Sequence, residues 1–249
     1  MGGATFDKTN ILNQEEYNNL TNFVKQSGLV ENIDYLFPFR LGNKNTYGDI
    51  DFILSDTDKF IQLFEANKSN QTNKYKIIET KKIPLFEERF GLYSQHLLTT
   101  ELYQIDLLKS WNSSTMEITR AYYSYSFANI FLKRLIDIVD RNLKLSYLGV
   151  FCSSNKFIIQ ENKFIQIDNG TRLIIDCGYV FELMDLDYSR FILGFVDEIE
   201  LLEYFKSSKY YSQIKFKFNS KFKHDYLRLK PFANLVDLGL VKVENFLKN

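Results

Sequence analysis

Thr46-Tyr47-Gly48-Asp49-Ile50-Asp51-Phe52-Ile53-Leu54 sets two carboxylates two residues apart, directly after a glycine turn and among apolar neighbours. In a β-strand, residues i and i+2 project from the same face. Asp49 and Asp51 are therefore expected to point together, with Ile50 and Phe52 packing on the other side. Two adjacent carboxylates repel each other, a cost that a cation removes. Hard cations such as Mg²⁺ take oxygen ligands of this kind. Two acids solvated at a strand end would satisfy the same pattern, so the neighbours of this strand decide between the readings.

Leu102-Tyr103-Gln104-Ile105-Asp106-Leu107-Leu108 is a second strand, with one acid among apolar residues. A half-buried, unpaired carboxylate is expensive. If this strand lies beside the first, three carboxylates converge. Three converging acids can hold two divalent ions about 3.5–4 Å apart, as in-line phosphoryl transfer requires.

The rest of the chain frames that pair of strands. Its 249 residues are 45% hydrophobic and 25% charged, an ordinary globular composition that permits one large domain or two small ones. Formal net charge is zero, so any nucleic-acid footprint must be local. Two cysteines, Cys152 and Cys177, make neither a disulfide framework nor a zinc site, and His96 and His224 lie far apart in sequence. All four are read as core or surface residues without a chemical role. No apolar run approaches transmembrane length, and the N-terminus lacks a signal peptide's basic-then-apolar order. Met1-Gly2-Gly3-Ala4 has the look of a myristoylation start, but Phe6 stands where Ser or Thr is wanted. The expectation is a soluble intracellular protein of cytoplasm or nucleus, without a membrane partner; the oligomeric state is left open.

Asn13-Gln14-Glu15-Glu16 opens a helical pattern with Tyr17, Leu20, Phe23 and Val24 on one face, Asn13 as cap and Glu16 at the capping-box position. Gly28 is expected to end it. Asp56-Thr57-Asp58 caps a second helix. Tyr75–Thr80, Ile83–Phe86 and Gly91–Leu98 alternate like strands. From Arg120 to Val139 the period is helical, Phe151–Ile167 alternates like a hairpin, and Ile174–Met184 and Asp197–Phe205 read as short helices. The boundary is placed near residue 112, where strand signals give way to helices: 1–112 as a first domain with an N-terminal helix and the two acid-bearing strands, and 113–249 as a second α+β domain.

Gly48-Asp49-Ile50-Asp51 followed by the distant Gln104-Ile105-Asp106-Leu107 resembles the nucleotidyltransferase superfamily, and within it the palm of the family X (beta-like) DNA polymerases. Tyr122-Tyr123-Ser124-Tyr125-Ser126 resembles that family's aromatic-hydroxyl stretch beside the incoming nucleotide. Asn142–Val150 resembles its thumb turn, and Tyr179–Leu186 followed by Arg190 its thumb helix. The likeness runs from about residue 36 to 190. The family's Gly-Ser pair, which holds triphosphate oxygens, has no counterpart at its usual spacing, where Phe37-Pro38 stands. The nearer Gly42-Asn43, with Arg40, Lys44 and Gly48, is the candidate phosphate cradle, and Tyr122, Tyr123 and Ser124 complete the candidate nucleotide-binding set. No counterpart of the polymerases' amino-terminal modules is visible, so a minimal palm-and-thumb enzyme is the comparison.

The resemblance implies an α+β fold: a nucleotidyltransferase-like palm, that is a small mixed sheet with flanking helices, followed by a mostly helical thumb-like half. It implies transfer of a nucleoside monophosphate from an NTP or dNTP to the 3′-hydroxyl of a nucleic acid. Two Mg²⁺ or Mn²⁺ ions would serve as cofactors, with Asp49, Asp51 and Asp106 as both metal ligands and catalytic residues. The alternatives are a nucleotidyltransferase acting on RNA, a protein or a small molecule, and a catalytically silent nucleic-acid-binding relative.

Residues 206–230 carry eight cations against Asp225 alone, with Tyr210, Phe216, Phe218 and Phe222 interleaved. Basic groups neutralise phosphates and aromatics stack unpaired bases. Lys215, Lys217, Lys221 and Lys223 are the candidate nucleic-acid contacts, against the alternative of a strand with one basic, solvated face.

Overall fold

The computed structural model describes residues 5–26, 30–66, 75–84, 93–125 and 127–214. The chain divides into two compact units, the first formed by Met1–Pro38 and Lys44–Met116, the second by Phe39–Asn43 and Glu117–Asn249. The architecture is α+β, with a mixed sheet and helices. No helix among the described residues is long and apolar enough to cross a membrane.

The first unit runs β1 (Leu12–Asn13), α1 (Gln14–Gln26), β2 (Tyr35–Leu36), β3 (Thr46–Tyr47), β4 (Asp49–Leu54), α2 (Thr57–Ala66), β5 (Ile77–Pro84), β6 (Tyr93–Thr99) and β7 (Gln104–Lys109). The expected capping box opens α1: Glu16 N–H donates to Asn13 Oδ1 at 2.9 Å, and Asn13 N–H to Glu16 Oε2 at 2.8 Å. Asp56 starts α2 by accepting from Lys59 N–H at 2.9 Å. Gly28, the expected end of α1, lies outside the described residues.

Five strands pair in the order β2-β4-β7-β6-β5, and β1 pairs with β3 apart from them. β4 and β7 are parallel and the other pairs antiparallel, so the sheet is mixed. Alternation sorts its faces. Ile50, Phe52 and Leu54 of β4, Leu97 of β6 and Ile105 and Leu107 of β7 share one core with Leu20 and Val24 of α1 and Phe60 and Phe64 of α2. Phe52 is fully buried, its ring 4.4 Å from that of Phe37 and 6.2 Å from that of Phe60. The side chains of odd number on β4 and even number on β6 and β7 belong to the opposite face.

Two expected strands, Tyr75–Thr80 and Ile83–Phe86, are one: β5 continues through Lys81 and Lys82 to Pro84 and pairs with β6 throughout. It is an edge strand, where consecutive lysines cost little and discourage further pairing.

The second unit contains α3 (Met116–Tyr123, whose first residue closes the first unit), α4 (Ala128–Val139), β8 (Leu143–Ser146), β9 (Gly149–Cys152), β10 (Phe164–Asp168), β11 (Thr171–Ile174), α5 (Cys177–Leu183), α6 (Tyr188–Leu193) and α7 (Glu198–Lys206). Asp176, Asp187 and Asp197 cap its last three helices, accepting from Tyr179, Ser189 and Glu200 N–H at 2.6, 2.9 and 2.9 Å.

Two expectations fail here. The helix read from Arg120 to Val139 is broken between α3 and α4. Tyr125 sits there at φ 53°, its N–H donating to Phe39 C=O at 2.9 Å and its hydroxyl to Phe191 C=O at 2.8 Å. The apolar period survives the break because both helices feed the same core. The hairpin read over Phe151–Ile167 is instead two hairpins, β8–β9 and β10–β11, joined in an antiparallel sheet of order β10-β11-β9-β8. Gly149 turns the first at φ 142°, and a Cβ there would meet the Ile174 carbonyl oxygen at 2.4 Å.

Candidate metal centre

The parallel pairing of β4 and β7 sets Asp49 opposite Gln104, and Asp51 opposite Asp106. Residues paired in this way share a sheet face, so alternation on two strands brings three carboxylates to one place. Oxygens of Asp49, Asp51 and Asp106, one from each, lie within 4.8 Å of one another. Asp49 and Asp51 are partly exposed, whereas Asp106 is 9% exposed. A Mg²⁺ ion with oxygens at about 2.1 Å sets cis ligands about 3 Å apart and trans ligands about 4.2 Å apart. Three hard oxygen donors are of the type such an ion takes, as Mn²⁺ does, and a spacing bounded at 4.8 Å lies within a small side-chain adjustment of those spans.

Asp106 is held by residues that the sequence reading passed over. Its Oδ1 accepts from Gln104 Nε2 at 2.7 Å and from His96 Nδ1 at 2.7 Å. His96 stands directly opposite Asp106 in the antiparallel pair β6–β7. Its other nitrogen lies 2.8 Å from Ser94 Oγ. Gln104 Oε1 accepts from Thr5 N–H at 3.2 Å. Hydrogen bonds to a charged group are worth about 1.5–3 kcal/mol each, which offsets the cost of burying this carboxylate. A signal for His96 exists in the sequence: the short turn between Thr99 and Tyr103 fixes the register, and counting back from it places residue 96 across from 106.

The other expected site residues are scattered. Gly48 joins β3 to β4. Lys44 Nζ lies over the Tyr47 ring, 5.2 Å from its centroid. Arg40, Gly42 and Asn43 belong to the second unit, not to that of the aspartates. The N–H groups of Gly42 and Asn43, expected to cradle phosphate, donate to the carbonyls of Phe195 and Val196, both at 2.9 Å. Ser124 is buried; its hydroxyl donates to Arg120 C=O at 2.7 Å and accepts from Phe39 N–H at 2.8 Å, so it ties the end of α3 rather than presenting a hydroxyl to solvent. Tyr122 and Tyr123 pack edge to face at 5.3 Å and both meet the Tyr147 ring. Lys215, Lys217, Lys221 and Lys223 lie outside the described residues.

No family model matches the sequence, and no curated protein matches it. Among solved structures, the chain is similar to polymerase beta of Leishmania infantum in a ternary P/T complex, at 14% identity and a TM-score of 0.43, over 70% of this chain and 73% of that one. A likeness of that size fixes neither a family nor an activity.

Proposed function

We propose that this protein catalyses metal-dependent nucleotidyl transfer, in the manner of a minimal beta-like polymerase. The observation that carries the reading is the register of β4 and β7, which gathers Asp49, Asp51 and Asp106 on one sheet face with oxygens inside 4.8 Å. The Gly48-Asp49-Ile50-Asp51 pattern and the distant Asp106 support it from the sequence.

In this reading the 3′-hydroxyl of a nucleic acid attacks the α-phosphorus of an NTP or dNTP, the bond to the β-phosphate oxygen breaks, and pyrophosphate leaves. Two divalent ions, when bound, would supply the charge that lowers the hydroxyl's pKa and neutralises the departing pyrophosphate. Asp49 and Asp51 would hold both ions, and Asp106 the one on the hydroxyl side. The chain's own contribution is placement: three carboxylates fixed on rigid strands, with no covalent chemistry of their own. The lysines at 215, 217, 221 and 223 would add affinity for the acceptor's phosphates.

The engaged amides of Gly42 and Asn43 favour a second reading, a catalytically silent nucleic-acid-binding relative. One experiment separates them. The full chain is incubated with Mn²⁺ or Mg²⁺, labelled triphosphates and single-stranded, gapped or RNA primers. Primer extension that vanishes in Asp49→Asn supports the transferase. Oligonucleotide binding with no transfer to any acceptor supports the silent relative, and transfer that survives Asp49→Asn sinks the metal assignment.

A further inference from the structure

We propose that His96 and Gln104 are positioning residues that hold Asp106 as a one-oxygen ligand, biasing the centre toward small octahedral cations and against Ca²⁺. The inference rests on the metal reading of the three aspartates. It starts from how Asp106 is gripped. A carboxylate oxygen offers two lone-pair directions in its plane. On Oδ1 both are filled, by Gln104 Nε2 and His96 Nδ1 at 2.7 Å each. Oδ2 is therefore the oxygen left to face a cation.

Each gripping side chain is itself anchored. A carboxylate that ligates a metal only accepts, so the 2.7 Å contact requires the tautomer with a proton on His96 Nδ1. The far side of the ring is fixed by Ser94 Oγ, 2.8 Å from Nε2. The Gln104 amide is oriented by the Thr5 backbone N–H on Oε1. Three strand positions and one segment ahead of β1 thus set one carboxylate rotamer before any ion arrives. A supporting shell of this kind removes the cost of orienting a ligand at the moment of binding.

The consequence for ion choice follows from coordination. Ca²⁺ takes six to eight oxygens and can raise its ligand count by gripping a carboxylate through both oxygens, whereas Mg²⁺ demands near-ideal octahedral geometry and keeps several waters beside one or two carboxylates. With Oδ1 of Asp106 closed, the larger ion loses one route to its preferred number and the smaller ion loses nothing.

The test uses the full chain without nucleotide. Mn²⁺ binding is followed by the electron paramagnetic resonance of the free ion, and Ca²⁺ is titrated against it. His96→Leu keeps volume but removes the donor; His96→Asn keeps an N–H donor near the position of Nδ1. Mn²⁺ affinity is expected to fall about 10-fold in His96→Leu, with the Mn²⁺ over Ca²⁺ preference narrowing, while His96→Asn stays within about threefold of wild type in both. If His96→Leu does not fold, as read by its melting curve, Gln104→Met removes the other donor and carries the same expectation. Equal losses in His96→Asn and His96→Leu, or no loss in either, overturn the clamp while the metal centre stands. Wild-type Mn²⁺ binding that is absent, or unchanged by Asp49→Asn, removes the metal reading and the clamp together.

Discussion

Asp51 and Asp106 are register partners across the parallel pair β4–β7, although 55 positions separate them in the chain. Like charges set directly opposite in a sheet are destabilising. The fold thus carries an electrostatic penalty at the place where the proposed ions would cancel it.

Replacing Asp51 by Asn should relieve part of that penalty. The apo melting temperature is expected to hold or to rise slightly. Mn²⁺ at 100 times its dissociation constant should stabilise the wild type by about 2.7 kcal/mol, an increment the variant lacks. Transfer activity should be lost with it. Thermal melts with and without the ion decide this, and a metal-induced shift of wild-type size in Asp51→Asn would refute the assignment.

Gly149 is a position at which the fold cannot accept a side chain. At φ 142°, with a backbone oxygen 2.4 Å from where a Cβ would stand, Gly149→Ala must displace either the turn or β11. The expected loss is about 1–3 kcal/mol in urea unfolding. Unchanged stability would mean that β9 and β11 separate freely at this point.

Alkaline conditions should weaken the second unit. Burial pushes the phenols of Tyr125, Tyr188 and Tyr204 upward, and the Cys177 thiol likewise. The folded state keeps protons that the unfolded chain releases near pH 8.5 for the thiol and near pH 10 for the phenols. Their contribution is complete below those values and is lost as pH rises, by about 1.4 kcal/mol per pH unit for each group titrating only in the unfolded state. Urea unfolding at pH 8, 10 and 11 should show the decline, and Tyr204→Phe should make it shallower. A flat profile above pH 10 would contradict the burial argument.

The basic stretch makes a salt-dependent claim. Replacing Lys215, Lys217 and Lys221 together by Gln should flatten the log–log dependence of oligonucleotide affinity on salt by about two to three units. Mn²⁺ binding should be untouched. Titration of a labelled oligonucleotide at several salt concentrations measures the slope, and an unaltered slope would make these lysines a solvated face.

What the sequence revealed depended on how local each determinant is. The strand at Asp49–Leu54 and the capping box at Asn13 and Glu16 are read from spacing alone, because their determinants lie within a few residues. The break at Tyr125 was hidden, since the contacts that hold it, Phe39 and Phe191, are far away in sequence while the apolar period runs on. The same holds for Gly42 and Asn43, whose amides meet carbonyls about 150 positions later. His96 reads from the sequence as a core or surface residue without a chemical role, because its partner is set by strand register; the pairing of β6 with β7 places it against Asp106.

The order in which the chain assembles follows from the mixed sheet. β6 and β7 are joined by a short turn, so their hairpin is a local structure that already collects His96, Gln104 and Asp106. β4 meets β7 only after the intervening α2, β5 and β6 have been looped out, and such closure must be paid for before its contacts give any return. On this ground the three-acid cluster is expected to form late, when β4 docks against the β6–β7 pair. An ion that recognises the finished cluster acts after that event: it should slow unfolding and leave the rate of folding nearly unchanged.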